Sequence, residues 1–227
     1  MTALNPNADE SSHLGTPIKE VVAASEAIAA PEAPAAPAGD PATLGLPSFI
    51  VGSVAFGLVL VGMVPASAVG ASLPIILAAT AAGLFLATIW SANVGQSAVA
   101  SVFGIFAGFW LSYAVLVLGL THNWFGVSAA AATSTQELFL TSWLIIIVML
   151  TLATLRLPLA FTVVFALIDV ALALILIGTA QASTGLVKTA GYVVLAFAAA
   201  GVYLFFNSLS LATGGKALPL GTPVLRG

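Results

Sequence analysis

Residues 144–150 read L-I-I-I-V-M-L, and this run indicates what kind of protein the chain forms. Its apolar residues do not alternate with polar ones, as they would in a strand of a membrane β-barrel. The run lies inside an apolar segment over 138–155, and at about 1.5 Å per residue such a segment crosses a hydrocarbon core of roughly 30 Å. Because lipid cannot hydrogen-bond to open backbone groups, the segment is predicted to be a transmembrane helix.

Five more apolar segments of similar length occur in the chain. Small polar or charged residues separate them, and they lie at 44–63, 71–91, 97–120, 158–178 and 186–209. The predicted fold class is therefore an all-α integral membrane protein, with a bundle of six transmembrane helices over 40–211.

The composition supports the same fold class. Of 227 residues, 60% are hydrophobic and only 6% are charged, and the mean hydropathy is +1.15. A soluble domain carries roughly 25% charged residues because its surface faces water. Most of this chain's surface is therefore expected to face a lipid bilayer.

The two ends of the chain differ from the apolar region. Residues 1–39 are rich in Ala, Pro, Ser and Glu and lack an amphipathic repeat, so they are predicted to be a disordered tail. Residues 212–227 are predicted to be a short C-terminal tail. Arg156, Lys216 and Arg226 fall on the side of the termini, and Lys188 falls on the other. This excess of Lys and Arg on the side of the termini predicts that both termini are cytoplasmic, in a multi-pass protein of the cell (inner or plasma) membrane.

The residues that could carry chemistry are few. The chain has no Cys, only two His, and only Glu137 and Asp169 as acids beyond residue 40. No His pairs with a nucleophile at a recognisable spacing, and no Gly-rich loop precedes a Lys as in a phosphate site. We therefore predict no catalytic residue, no metal site, no cofactor and no nucleic-acid partner, and the chain is not expected to be an enzyme.

The start of the first helix carries the most specific motif. Asp40 is placed to cap the first free N–H groups, and Pro41 suits the first helical position. Residues 40–46, D-P-A-T-L-G-L, resemble the N-P-A-P-L-G-L signature of the acetate uptake transporters, or succinate–acetate permeases. The resemblance continues in G-F-W-L-S at 108–112 and G-K-A-L-P-L-G at 215–221. The signature residues that it assigns to a pore entrance are Asp40, Pro41, Leu44, Gly45 and Leu46.

The resemblance implies a function and a site. It implies a homo-hexamer in which each protomer encloses its own narrow path for acetate or similar short carboxylates, as a channel or a proton-coupled permease. A hydrophobic constriction midway along that path would consist of Phe49, Phe106 and Ile168. The family position at Phe106 is often Tyr, so the ring here lacks a hydroxyl.

Several positions depart from the family pattern. Asp40 replaces the usual Asn, Gly57 stands where an Asn is common in the first helix, and G-L-F-L at 83–86 lacks the acid that often follows. These departures make the predicted path less polar. Two alternatives follow: a channel for a small neutral solute, or a non-conducting membrane scaffold or accessory subunit.

Asp169 is unusual on composition alone because it lies in the middle of the fifth apolar segment. A charge at such a depth costs at least about 2.5–3.5 kcal/mol. Asp169 has two interpretations. It is either a proton-carrying or gating carboxyl beside Ile168, or a neutral acid that hydrogen-bonds a neighbouring helix.

Overall fold

A computed structural model describes residues 39–225, and within that range the chain forms six long helices and no β-strand. All six are long and apolar enough to span a membrane, which confirms the predicted fold class. Their bounds are Ala42–Leu60 (α1), Ser67–Asn93 (α2), Ser97–His122 (α3), Ala132–Thr154 (α4), Leu159–Ala180 (α5) and Thr184–Ala212 (α6). The predicted tail over residues 1–38 and the cation at Arg226 lie outside the described residues.

Helix α1 begins and ends through local hydrogen bonds, and the sequence predicts those at its start. Asp40 Oδ1 accepts from the Ala42 N–H at 2.9 Å, and Pro41 adopts a helical φ of −59°. At the other end Gly62 has a φ of +89°, which a glycine adopts without strain. The Met63 N–H then donates to the Leu58 carbonyl at 3.0 Å, so the chain reverses directly after the helix.

Helix α2 is irregular in its first half. It opens with a 3₁₀ turn at Ala66–Ser72 and contains a π-helical turn at Ile76–Ala81 before it becomes a regular helix. The π-helical turn presents Thr80 directly to α1, where a side chain at Gly52 would overlap it. The absence of a side chain at Gly52 therefore allows α1 and α2 to approach closely.

Helix α4 begins six residues earlier than the apolar segment predicts, at residue 132 rather than 138. Its first turns contain Ser134, Thr135 and Gln136, whose polar side chains suggest a loop. In the structure these side chains donate to backbone carbonyls of Ala131 and Ala132, one turn earlier. Hydropathy marks only the apolar part of a helix, so it misses a first turn whose polar groups bond to their own backbone.

The segment after α6 packs against the helices beside it. The Leu218 N–H donates to Asn207 Oδ1 at 2.8 Å, and the Leu225 N–H donates to the Leu155 carbonyl at 2.9 Å. Residues 213–225 therefore lie against the connection between α4 and α5. This places the C-terminal segment and that connection at one end of the bundle, called here the tail end.

Candidate functional site

The three predicted constriction residues meet in one small cavity midway along the helices. This narrow cavity is lined by Phe49 of α1, Phe106 of α3 and Ile168 of α5. Each of the three side chains is at most 7% exposed. The rings of Phe49 and Phe106 lie edge to face, with centroids 4.8 Å apart. The cavity measures about 20 Å³, which leaves room for roughly one water. A solute larger than water can therefore pass only if these side chains move.

The narrow cavity is almost entirely apolar. Its other lining residues include Phe109, Trp110, Ile147, Ala171, Leu172 and Phe197. Among the side chains that line it, Trp110 is the one that carries a nitrogen or oxygen. The Nε1 of Trp110 is buried and has no hydrogen-bond partner within residues 39–225. An unpaired buried donor costs roughly 1–3 kcal/mol, but no polar atom is exposed on the wall of the narrow cavity, so this N–H does not face a solute there.

A second, wider cavity adjoins the narrow one on the side away from the tail end. It measures about 260 Å³ and reaches the ends of the helices at Leu60 and Thr179. Its polar side chains come from Tyr113, Gln136 and Thr179. The two cavities share four lining residues, Phe56, Phe109, Leu172 and Ile175. The two cavities therefore adjoin, and together they run from the helix ends opposite the tail end to the ring pair at the middle of the bundle.

The signature residues lie at the tail end, and none of them lines either cavity. Pro41 is buried, and a side chain at Gly45 would overlap the ring of Phe103 on α3. Leu44 and Leu46 pack against the hydrophobic core. The exposed Asp40 directs one carboxylate oxygen back to its own helix. In this structure the signature fixes where α1 begins and how closely α3 packs against it.

Asp169 does not line either cavity but faces α4. Its Oδ2 lies 2.6 Å from Thr151 Oγ1, and the same hydroxyl lies 3.0 Å from the carbonyl oxygen of Ile147. Asp169 Oδ1 is buried without a partner among the described residues. This arrangement corresponds to the second interpretation of Asp169, a carboxyl that bonds a neighbouring helix through a Thr.

Sequence reasoning missed most of the aromatic lining, although α3 carries a signal for it. Phe106, Phe109, Trp110 and Tyr113 are spaced three and four residues apart, so they share one helical face. In the structure this aromatic face lines both cavities. The periodicity marks such a face, but it does not distinguish a path lining from ordinary packing.

The fold and the path define a class: a six-helix integral membrane protein with a constricted interior route. Residues 25–215 match the GPR1/FUN34/yaaH family, and the chain belongs to that family. This confirms the resemblance to the acetate uptake transporters. Among curated proteins, none matches the chain.

The fold is similar to that of a solved structure described as the bacterial acetate channel SatP. The TM-score is 0.71 at 23% sequence identity, and the match covers 81% of this chain and 99% of that chain. At this identity the likeness establishes a shared fold.

Proposed function

We propose that this protein carries acetate or a similar short carboxylate across the membrane, as a channel or a proton-coupled permease, without catalysing a reaction. The observation that carries the proposal is the pair of adjoining cavities, one wide and one narrow, that lead from one end of the bundle to Phe49, Phe106 and Ile168 at its middle. Family membership and the fold shared with an acetate channel support it.

The path suits a small carboxylate for physical reasons. Aromatic and aliphatic walls offer no partners to a hydrated ion, and an apolar constriction of this kind also excludes water. A short acid has a methyl end that packs against the rings and a carboxyl end that accepts a hydrogen bond. Tyr113, Gln136 and Thr179 would meet the carboxyl group in the wide cavity.

The apolar lining also favours one alternative, a small neutral solute. Within residues 39–225 no Lys or Arg lines either cavity, so the walls offer no cation to pair with an anion. The scaffold alternative has less support, because a non-conducting subunit has no need of two adjoining cavities inside its helix bundle.

The proposed setting is a homo-hexamer in a lipid bilayer of the cell (inner or plasma) membrane, with both termini cytoplasmic. The excess of cations at the tail end supports the orientation. Helix α4 leaves an apolar surface that lipid or a neighbouring protomer can cover, because only 17% of its most apolar stretch is buried within one protomer. Native mass measurement of the protein in lipid particles tests the hexamer, and a dimer or monomer mass would contradict it.

Uptake of labelled acetate into vesicles that contain the purified protein tests the proposed function. The external pH is set well above the pKa of acetic acid, because the neutral acid crosses bare lipid unaided. We expect uptake well above that of protein-free vesicles, and faster than uptake of acetamide, the uncharged analogue. An imposed pH gradient distinguishes a proton-coupled permease from a channel. Uptake by the permease responds to the pH gradient, whereas uptake through the channel responds to the acetate gradient.

A matched pair of variants links uptake to the path. Ala171 is 2% exposed and lines the narrow cavity, whereas Ala166 lies exposed on the outer face of the same helix. We expect Ala171→Leu to block acetate uptake and Ala166→Leu to leave it unchanged. Wild-type uptake no faster than that of bare lipid would refute the proposal, and faster uptake of acetamide would favour the neutral solute.

A further inference from the structure

The Thr151 hydroxyl lies between two oxygen atoms but has only one proton to donate. One of them, the Ile147 carbonyl oxygen at 3.0 Å, accepts only. The other, Asp169 Oδ2 at 2.6 Å, can act only as an acceptor when the carboxyl group is ionised. With an ionised Asp169, one of the two contacts would therefore be a repulsive approach of two lone pairs. With a neutral Asp169, Oδ2–H donates to Thr151 Oγ1 and the hydroxyl donates to Ile147, so both contacts are hydrogen bonds.

We propose that Asp169 is held neutral and acts as a latch between α4 and α5, through which it positions Ile147 and Ile168 at the narrow cavity. The latch consists of Asp169, Thr151 and the Ile147 carbonyl. The effect of the latch on transport rests on the proposed function. The neutral state of Asp169 rests only on its hydrogen bonds.

The surroundings of Asp169 fit a neutral acid. Its second oxygen, Oδ1, is buried without a partner among the described residues, and an ionised carboxylate would leave that oxygen charged and unpaired. The titratable and charged side chains on or beside the two helices packed against α5 are Glu137, Arg156, Lys188, Tyr192 and Tyr203. Within residues 39–225 none of them forms a hydrogen bond or an ion pair with Asp169.

The latch joins the two helices at the level of the constriction. Ile147 is fully buried, and its side chain lines the narrow cavity while its carbonyl accepts the Thr151 proton. Ile168 precedes Asp169 directly and lines the same cavity from α5. Breaking the latch frees α4 to shift against α5, and the space between the two isoleucines then widens.

The first test compares variants by selectivity. Asp169→Asn keeps a donor for Thr151, so we expect its acetate uptake, pH profile and butyrate-to-acetate ratio to match the wild type. Asp169→Ala and Thr151→Val each remove the bond, and we expect each to raise that ratio by about threefold, the effect of one hydrogen bond. Because both remove the same interaction, the double variant should exceed neither single variant.

Two results would overturn the latch. A loss of pH-dependent uptake in Asp169→Asn would show that the carboxyl carries protons instead. Unchanged selectivity in both Asp169→Ala and Thr151→Val, with acetate uptake intact, would show that the bond does not position the constriction.

Infrared spectroscopy separates failure of the latch from failure of the proposed function, because it does not depend on transport. The difference spectrum between the wild type and Asp169→Asn should contain the C=O stretch of one protonated carboxylic acid, and Thr151→Val should shift that band. Carboxylate bands in its place would refute the neutral acid even if acetate uptake is confirmed. Variants that lose their helical circular dichroism are excluded from the comparison. In that case the infrared difference between the wild type and Asp169→Asn alone tests the neutral acid.

Discussion

A few side chains surround the narrow cavity, and Phe106 and Phe49 form the ring pair with the shortest centroid distance among them. The Phe106 ring lies against Phe49 at 4.8 Å and against Phe165 at 5.7 Å between centroids. The contact with Phe49 is edge to face, and such a pair contributes about 0.5–1.5 kcal/mol beyond its burial. Under the proposed function, Phe106 closes the path at rest and moves aside when a solute passes.

We predict that Phe106→Ala widens the constriction and admits dicarboxylates. The ratio of succinate to acetate uptake should rise by about tenfold, the order of discrimination that a small change in pocket volume provides. Competition of succinate with labelled acetate in vesicles measures this ratio. Phe85→Ala is the matched control, because Phe85 is 43% exposed on α2 and its removal should leave the ratio unchanged. An unaltered ratio in Phe106→Ala would place the constriction elsewhere.

The sequence identifies Asp169 as exceptional but does not identify its partner. A carboxyl within an apolar segment is visible in the sequence. Its bond to Thr151 depends on how α4 and α5 rotate against each other, which no single residue encodes. For the same reason Phe49, Phe106 and Ile168 were predicted only through the family resemblance.

The six helices are predictable from the sequence to different degrees. α3 follows its apolar segment closely, since 97–120 was predicted and the helix spans Ser97–His122. α4 begins earlier than predicted because Ser134 and Thr135 bond to their own backbone. Segment length and hydropathy thus predict the existence of each helix better than its ends.

The start of α1 provides a prediction at the level of one helix. Asp40→Ala removes the acceptor for the Ala42 N–H and should lower the free energy of unfolding by about 1 kcal/mol. Asp40→Asn keeps an acceptor and should leave it nearly unchanged. Thermal unfolding of both variants in detergent measures the difference.

Transport offers a second readout for Asp40. Because Asp40 lines neither cavity and bonds to its own helix, acetate uptake by Asp40→Asn should equal that of the wild type. A marked rise in uptake would show instead that the carboxylate repels acetate at the entrance.

For the whole molecule, composition and segment length were sufficient to predict a six-helix membrane protein. They do not predict the two cavities, because the lining residues come from all six helices and meet only when the bundle packs. The family resemblance supplied three of those residues, and the structure adds the aromatic face of α3 and the wide cavity. The central claim is that acetate crosses the membrane along this path.

A single introduced cysteine tests that claim most directly, because the chain contains no cysteine of its own. Thr179→Cys places a thiol in the wide cavity, and Ile177→Cys places one two residues away on the outer face of the same helix, where Ile177 is 44% exposed. Cells that express each variant are treated with a bulky membrane-impermeant thiol reagent and then supplied with labelled acetate. We predict that the reagent blocks uptake through Thr179→Cys and leaves Ile177→Cys active. Full uptake through a Thr179→Cys protein that mass spectrometry shows to be labelled would contradict the path.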